Sequence, residues 1–166
     1  AMLADVGMHI DPARADTREL PRMGSVAVLR IHKALAGFEI GKQLAYREDP
    51  AGNLSIADFI SGRVQIDAHQ NKSVPNFGFS HSAFWFQTRV ENGSGRDLRL
   101  LFEIAYPVLD EVDFYAISAS GRVIDHVATG TSRAFRNRRL LHRNFLFPVN
   151  LTPEEGRRVI VRVRSN

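Results

Sequence analysis

Cysteine is absent from the sequence, and so is any long apolar run. Without cysteine the chain cannot form disulfides, cysteine-ligated zinc sites or a catalytic thiolate. No apolar stretch approaches the roughly 18 residues that cross a bilayer, so no membrane span is expected within the 166 residues. The six histidines form no HxH or HExxH pair, and we therefore expect neither a locally encoded metal site nor a metal cofactor.

Lysine is scarce, whereas arginine is abundant. Of the 22 basic residues only Lys33, Lys42 and Lys72 are lysines, so 19 are arginines, which make planar, bidentate contacts. The most basic stretch runs from Arg133 to Arg143 and could bind phosphates, uronic acids or an acidic partner. A solvated connection between strands is the favoured interpretation, because no second basic run accompanies it. With a net charge of only +4, no nucleic-acid partner is expected.

The chain length and the 44% hydrophobic content predict one globular domain. Residues 1–23 are polar and lack periodicity, and we expect a loose N-terminal arm that begins with a cloning remnant at Ala1-Met2, although Met8 and Ile10 could dock on the domain. Residues 24–166 form the predicted domain. Its one expected helix starts at Ser55, which can cap it with Asp58 three residues later, and stops at Gly62.

Most of the remaining domain alternates with a period of two, which predicts strands. The sequence Asn92-Gly93-Ser94-Gly95 is expected to close a hairpin, and Ser118-Ala119-Ser120-Gly121 is expected to turn the chain into the strand that begins at Arg122. About eight short strands with one minor helix predict an all-β fold, an antiparallel β-sandwich or jelly roll. The residues expected inside it are Phe84, Phe86, Leu98, Leu100, Phe102, Phe114, Val161 and Val163.

The opposite side of the same strands combines aromatic and polar side chains. An aromatic ring offers a sugar a flat platform, and forked polar groups offer directional hydrogen bonds, with arginine favouring acidic sugars. The alternative is that Trp85 packs beneath a loop and that the polar groups pair with one another. The candidate ligand-binding residues on this side are Trp85, Gln87, Arg89, Asp113, Tyr115, Arg162 and Arg164.

No catalytic residue is expected. The stretch Gly78–Ser82 lacks the second glycine of a nucleophile elbow, and a strand follows it rather than a helix. A glycoside hydrolase would need two carboxylates flanking a cleft, for which Glu103 and Asp113 are the available candidates. The acidic group of Asp110, Glu111 and Asp113 could bind calcium, but a solvated strand end is the favoured interpretation.

Several ordered blocks between residues 35 and 166 resemble one bacterial family. The blocks are Leu44–Ile56, Asn76–Phe86, Val90–Asn92, Tyr106–Tyr115, Gly130 with Phe135 and Arg138, Phe145–Val149, and Val161–Ser165. Together they resemble the second type of extracellular domain of seven-transmembrane receptors with diverse intracellular signalling modules (7TMR-DISM). The Arg136–Arg143 stretch is richer in arginine than this family's pattern.

The resemblance implies a periplasmic jelly-roll domain, similar to carbohydrate-binding modules, in an inner-membrane protein whose transmembrane segments lie outside this chain. It implies a ligand-sensing role, with a carbohydrate or another small polar molecule as ligand. The output would be a cytoplasmic module such as a diguanylate cyclase or a histidine kinase. The alternative function is a protein-interaction or dimerisation module, such as a homodimer, that has no small ligand and carries an apolar surface patch.

Overall fold

The structure is a computed structural model, and it describes residues 2–3, 8–11, 26, 28–32, 38–69, 72, 75–138, 140 and 142–165. Within these residues the chain forms thirteen strands and one short α-helix, α1 (Ile56–Ile60). The strands are β1 (Met2–Leu3), β2 (Met8–Asp11), β3 (Val28–Ile31), β4 (Phe38–Glu39), β5 (Ala45–Asp49), β6 (Ala68–His69), β7 (Gly78–Phe79), β8 (Ala83–Asn92), β9 (Leu98–Ile104), β10 (Glu111–Ile117), β11 (Val123–Thr129), β12 (Phe145–Leu151) and β13 (Gly156–Arg164).

Two sheets face each other across a common core. The large sheet has the order β11-β10-β13-β8-β5-β6, with β3 added beside β8 as a parallel neighbour. The small sheet has the order β12-β9-β2-β4, and β1 pairs separately with β7. All pairings except β3–β8 are antiparallel, so the prediction of an all-β, antiparallel sandwich with one short helix is confirmed.

The core lies between the two sheets, and aromatic rings join them. Phe114 of the large sheet stacks on Phe147 of the small sheet, with ring centroids 4.4 Å apart, and Phe102 lies 5.8 Å from Phe114. All eight residues predicted to lie inside belong to this buried cluster. Alternation therefore assigned the inner face of each strand correctly, because successive side chains of a strand point to opposite sides of its sheet.

The hairpin predicted at Asn92–Gly95 is wrong, whereas the turn predicted at Ser118–Gly121 is present. The Ser118–Gly121 turn does join paired strands, with Ser118 N–H donating to Arg122 O at 2.8 Å and Gly121 at a φ of 83°. The Asn92–Gly95 turn instead carries the chain from β8 in the large sheet to β9 in the small sheet. The strands on its two sides have other partners, β13 for β8 and β12 for β9, because their long buried faces select neighbours that are distant in sequence.

The N-terminal segment, expected as a loose arm over residues 1–23, contributes two short strands. Met8–Asp11 pairs with β9 and β4 within the small sheet, and Met2–Leu3 pairs with β7. The other residues of that segment lie outside the described part of the chain. Pairing by β2 extends the small sheet from β9 to β4, which the weak local periodicity of the segment does not predict.

Candidate functional site

The seven predicted ligand-binding residues lie on three adjacent strands of the large sheet. β13 is flanked by β8 on one side and β10 on the other. Arg162 is paired with Trp85 and Asp113, and Ile160 with Gln87 and Tyr115. All seven therefore face away from the small sheet, on a surface that we call the outer face.

A segment of the chain crosses the outer face and divides it. This segment, residues 49–62 with α1 at its C-terminal end, is called the strap. Its Gly52 lies near the guanidinium group of Arg164, and its Phe59 accepts a hydrogen bond from Arg158 Nη1 at 3.5 Å through the backbone carbonyl. Because Arg158 and Arg164 are near opposite ends of β13, the strap spans much of the strand's length.

Trp85 lies beneath the strap and is 1% exposed. Its ring centroid is 4.7 Å from that of Phe59, and its indole Nε1 donates to Asp49 Oδ2 at 3.4 Å. The alternative considered from the sequence, a tryptophan packed beneath a loop, describes this arrangement. A sugar cannot stack on Trp85 while the strap is in place, so the expected platform role does not fit this structure.

At one end of the outer face, acidic and basic side chains neutralise each other. The carboxylate of Asp113 lies 3.2 Å from Arg133 Nη1, 3.2 Å from His126 Nε2 and 3.6 Å from Arg162 Nη1. Arg162 also pairs with Glu111 at 2.7 Å. These ion pairs occupy two of the three carboxylates considered as calcium ligands, and the third, Asp110, accepts hydrogen bonds from the hydroxyls of Thr131 and Ser165. The part of the chain that the structure describes holds no group of three or more candidate metal ligands.

Tyr115 is half-buried beside this network. Its ring stacks on that of His126, with centroids 4.3 Å apart and planes within 4°. Burial is the main cause that raises the pKa of the Tyr115 hydroxyl, and the negative charge of Asp113 adds to it. The hydroxyl is therefore protonated at neutral pH and can serve as a hydrogen-bond donor.

Glu103 and Asp113 do not flank a common cleft. Glu103 alternates with the core residues of β9 and points away from the large sheet, where its Oε1 accepts a hydrogen bond from Asn144 Nδ2 at 2.5 Å. Asp113 lies on the outer face of the large sheet, on the other side of the sandwich. A pair of glycosidase carboxylates flanks one bond, so these two residues cannot form such a pair.

The basic stretch is partly tied to the domain. The guanidinium group of Arg138 lies 4.7 Å from the ring centroid of Phe135 and 4.5 Å from that of Phe145, and its Nη1 donates to the backbone oxygens of His142 and Arg143. Burial lowers the pKa of Arg138. These contacts give Arg138 a structural role in holding the connection between β11 and β12.

The other end of the outer face contains a cleft of about 110 Å³. The predicted residue Arg89 lines it together with Arg158, which lies directly opposite on β13. Arg158 Nε donates to Gln87 Oε1 at 2.5 Å, so a second predicted residue supports the cleft. Sequence reasoning missed Arg158, although it shares the alternation of Arg162 and Arg164, because only the strand register places it beside Arg89.

The outer face thus separates the seven candidates into groups. Asp113, Arg162 and Tyr115 belong to the ion-pair end, whereas Gln87 and Arg89 belong to the cleft end. Trp85 is buried between them, and Arg164 lies near the strap with its Nε buried and without a hydrogen-bond partner among the described residues. The cleft end is the candidate functional site, because it combines a cleft with two arginines, Arg89 and Arg158, that pair with no carboxylate of the described residues.

Comparison with known proteins gives one finding. A family model described as 7TMR-DISM extracellular 2 matches residues 41–166. No curated protein and no solved structure gives a significant match to the chain. Among the described residues, the structure has no helix with the length and apolar character of a membrane span.

Proposed function

The chain belongs to the 7TMR-DISM extracellular 2 family, and from this premise we propose that it is the periplasmic ligand-sensing domain of a bacterial membrane receptor. The observation that carries the proposal is the family match over residues 41–166. This range includes the strap, the large sheet apart from β3, and the strands β9 and β12 of the small sheet. Domains of this family are extracellular parts of membrane receptors. The transmembrane segments and the cytoplasmic output, a diguanylate cyclase or a histidine kinase, would lie elsewhere in the receptor.

The proposed ligand is a carbohydrate or another small polar molecule. Support comes from the cleft end of the outer face, where Arg89 is exposed and Gln87 positions Arg158. Guanidinium groups there can donate several directional hydrogen bonds to hydroxyl or carboxylate oxygens. No described side chain at the cleft forms the nucleophile–base pair that a hydrolase needs, which favours binding over turnover.

A signal requires that the ligand bind two states of the domain with different affinities. The strap is the element best placed to differ between such states, since it contacts Arg158 near the cleft and extends to Arg164 at the other end. Ligand binding at the cleft would shift the position of the strap and so the orientation or pairing of the domain. That change would bias the output module.

The test is a ligand screen with the 166-residue chain. A glycan array followed by calorimetry should identify a saccharide or small polar ligand, and Arg89→Ala should weaken its binding by about tenfold or more, the loss expected when charged hydrogen bonds are removed. Tyr115→Phe removes one hydroxyl at the ion-pair end of the outer face, so a loss of binding in this variant would indicate a site at that end. A broad screen that finds no ligand would contradict the sensing role.

A second candidate function, association with another protein chain, is favoured by the edge of the large sheet. β11 ends the strand order, and its Val123 and Ile124 are 37% and 47% exposed, with Phe135 57% exposed in the turn that follows. Edge strands with exposed apolar side chains are sites for pairing with another chain. The sensor and the association module are distinguished by whether a small ligand binds.

Sedimentation velocity tests this second candidate. If β11 mediates a homodimer, Ile124→Lys should shift the chain to a monomer at concentrations where the unmodified chain is dimeric, because lysine on an edge strand opposes pairing. Val108→Lys is the matched control, since Val108 is also exposed, at 55% against 47% for Ile124, but precedes β10 rather than lying on β11. A chain that is monomeric throughout would contradict association through β11.

A further inference from the structure

Two arginines face each other across neighbouring strands at the cleft end of the outer face. Arg89 of β8 and Arg158 of β13 are direct partners in the antiparallel register. No carboxylate of the described residues pairs with either of them. The hydrogen bonds of Arg158 go to the neutral oxygens of Gln87 and of the Phe59 backbone.

This pairing is unfavourable in the absence of a ligand. Like charges directly opposite each other on a sheet destabilise it. Burial and, after it, the positive charge of Arg89 lower the pKa of Arg158. Two other arginines of β13 differ from Arg158 in this respect, since Arg162 pairs with Glu111 and Arg157 with Glu155, both at 2.7 Å. An anion between Arg89 and Arg158 would remove the repulsion.

The cleft beside this pair is a suitable size for an anionic group. Its volume of about 110 Å³ exceeds what one water molecule needs. Glu91, the acidic residue on its lining, shares Arg30 with Glu154, so this group carries one excess negative charge, and Arg157 is paired with Glu155. The two positive charges of Arg89 and Arg158 exceed that single negative charge. The charge that remains for a ligand is therefore positive, with the hydroxyl of Ser118 nearby as a further polar group.

We propose that this cleft binds the carboxylate group of an acidic sugar, a uronic acid, between Arg89 and Arg158. The inference rests on the proposed sensing function and adds the class of ligand and the site. Arginine suits a planar carboxylate because its fork of N–H donors matches the two oxygens. The sugar ring would lie outside the cleft, on the exposed side of Arg89.

Calorimetry with galacturonate and galactose tests the proposal, because these sugars differ in a carboxylate at one carbon. Galacturonate should bind the 166-residue chain tighter than galactose by about tenfold or more, and added salt should weaken it. Arg89→Gln and Arg158→Gln should each remove most of this preference. Arg99→Gln, which removes the same charge from an exposed position on the small sheet, should leave it unchanged.

Each other outcome overturns the proposal in an identifiable way. Equal binding of galactose and galacturonate, or binding of neutral glycans alone, would overturn the carboxylate site but leave the sensing function standing. Galacturonate binding that survives Arg89→Gln would place the site elsewhere. Acetate binding through Arg89 as tightly as galacturonate would overturn the sugar component, and a failure of every carboxylate and glycan tested would contradict both proposals. Arg158 also donates hydrogen bonds to Gln87 and Phe59, so circular dichroism must show that Arg158→Gln is folded. If it is not folded, the result with Arg89→Gln tests the proposal alone.

Discussion

The arginines of the outer face differ in what neutralises them. Arg162 is shared between Glu111 and Asp113, so removing it would leave two carboxylates close together. Arg89 has no such partner among the described residues and faces another arginine. A side chain that costs stability in the free domain and lies at a cleft has the pattern of a binding residue.

Arg89→Gln should therefore not lower the stability of the free domain. We expect it to raise the free energy of unfolding by up to about 0.5 kcal/mol, which corresponds to a rise of about 1–2 °C in Tm. The gain comes from removing the repulsion with Arg158, and it should shrink at high salt because salt screens exposed charges. Thermal denaturation followed by circular dichroism measures it. Arg99→Gln is the control for loss of charge alone, and a marked drop in Tm for Arg89→Gln would mean that Arg89 has a structural role instead.

The sequence predicts which residues share the outer face but not which of them are accessible. Trp85, Gln87 and Arg89 are spaced by two, and this local geometry is independent of the rest of the fold. The burial of Trp85 depends on Phe59, which reaches it from 26 positions earlier in the chain through the course of the strap. Alternation carries no information about such a covering segment.

At the scale of elements, the strap depends on a short helix that has few internal hydrogen bonds. α1 has five residues and is held at its start by a capping box, in which the backbone N–H of Ser55 donates to Asp58 Oδ2 at 2.8 Å. Arg63 Nε donates to the same carboxylate at 2.9 Å. The Ser55 N–H is the main cause that lowers the pKa of Asp58, and the hydrogen bonds from Arg63 follow.

Asp58→Asn should lower Tm at neutral pH, and the deficit should disappear in acid. The pKa of Asp58 is lower in the folded chain than in the unfolded chain, so its stabilising effect is present above the unfolded pKa, about 4. It is lost as the pH falls through the folded value. Thermal melts from pH 7 to pH 2.5 test this, with the exposed Asp67→Asn as control. A deficit that persists in acid would mean that the charge of Asp58 is not what stabilises the strap.

The sequence predicted α1 and its cap correctly, because Ser55, Asp58 and the stop at Gly62 are local signals. The Asn92–Gly95 turn was predicted from equally local signals, and there the prediction of a hairpin is wrong. The composition of a turn predicts that the chain bends there. The pairing of β8 with β13 and of β9 with β12 depends instead on buried surfaces that are distant in sequence. Local sequence signals therefore do not predict which strands pair with each other.

At the scale of the whole molecule, stability depends on the contact between the two sheets. Phe102 of β9 is buried and lies 5.8 Å from Phe114 of β10, so it is one of the side chains that join them. The neighbouring Leu101 points away from this core and is half-exposed. Substitutions of these two residues therefore compare the inner and outer faces of the same strand.

Phe102→Ala should lower the free energy of unfolding by about 3–5 kcal/mol, because the buried surface is lost and a cavity remains. For a chain of this size, Tm should fall by about 10 °C. Leu101→Ala should cost much less, and chemical denaturation of both variants measures the difference. Equal losses would contradict the assignment of Phe102 to the core between the sheets.

The position of Trp85 beneath the strap has an optical consequence. It is the single tryptophan of the chain; Phe59 contacts it from the strap, and Asp49, where β5 joins the strap, accepts the hydrogen bond of its indole. Its emission spectrum therefore reports the environment of one known point, and lifting of the strap would expose the indole to water and move the emission to longer wavelength. The molecule thus has an internal fluorophore at the element proposed to respond to ligand, so stopped-flow mixing can follow that response in time without a label.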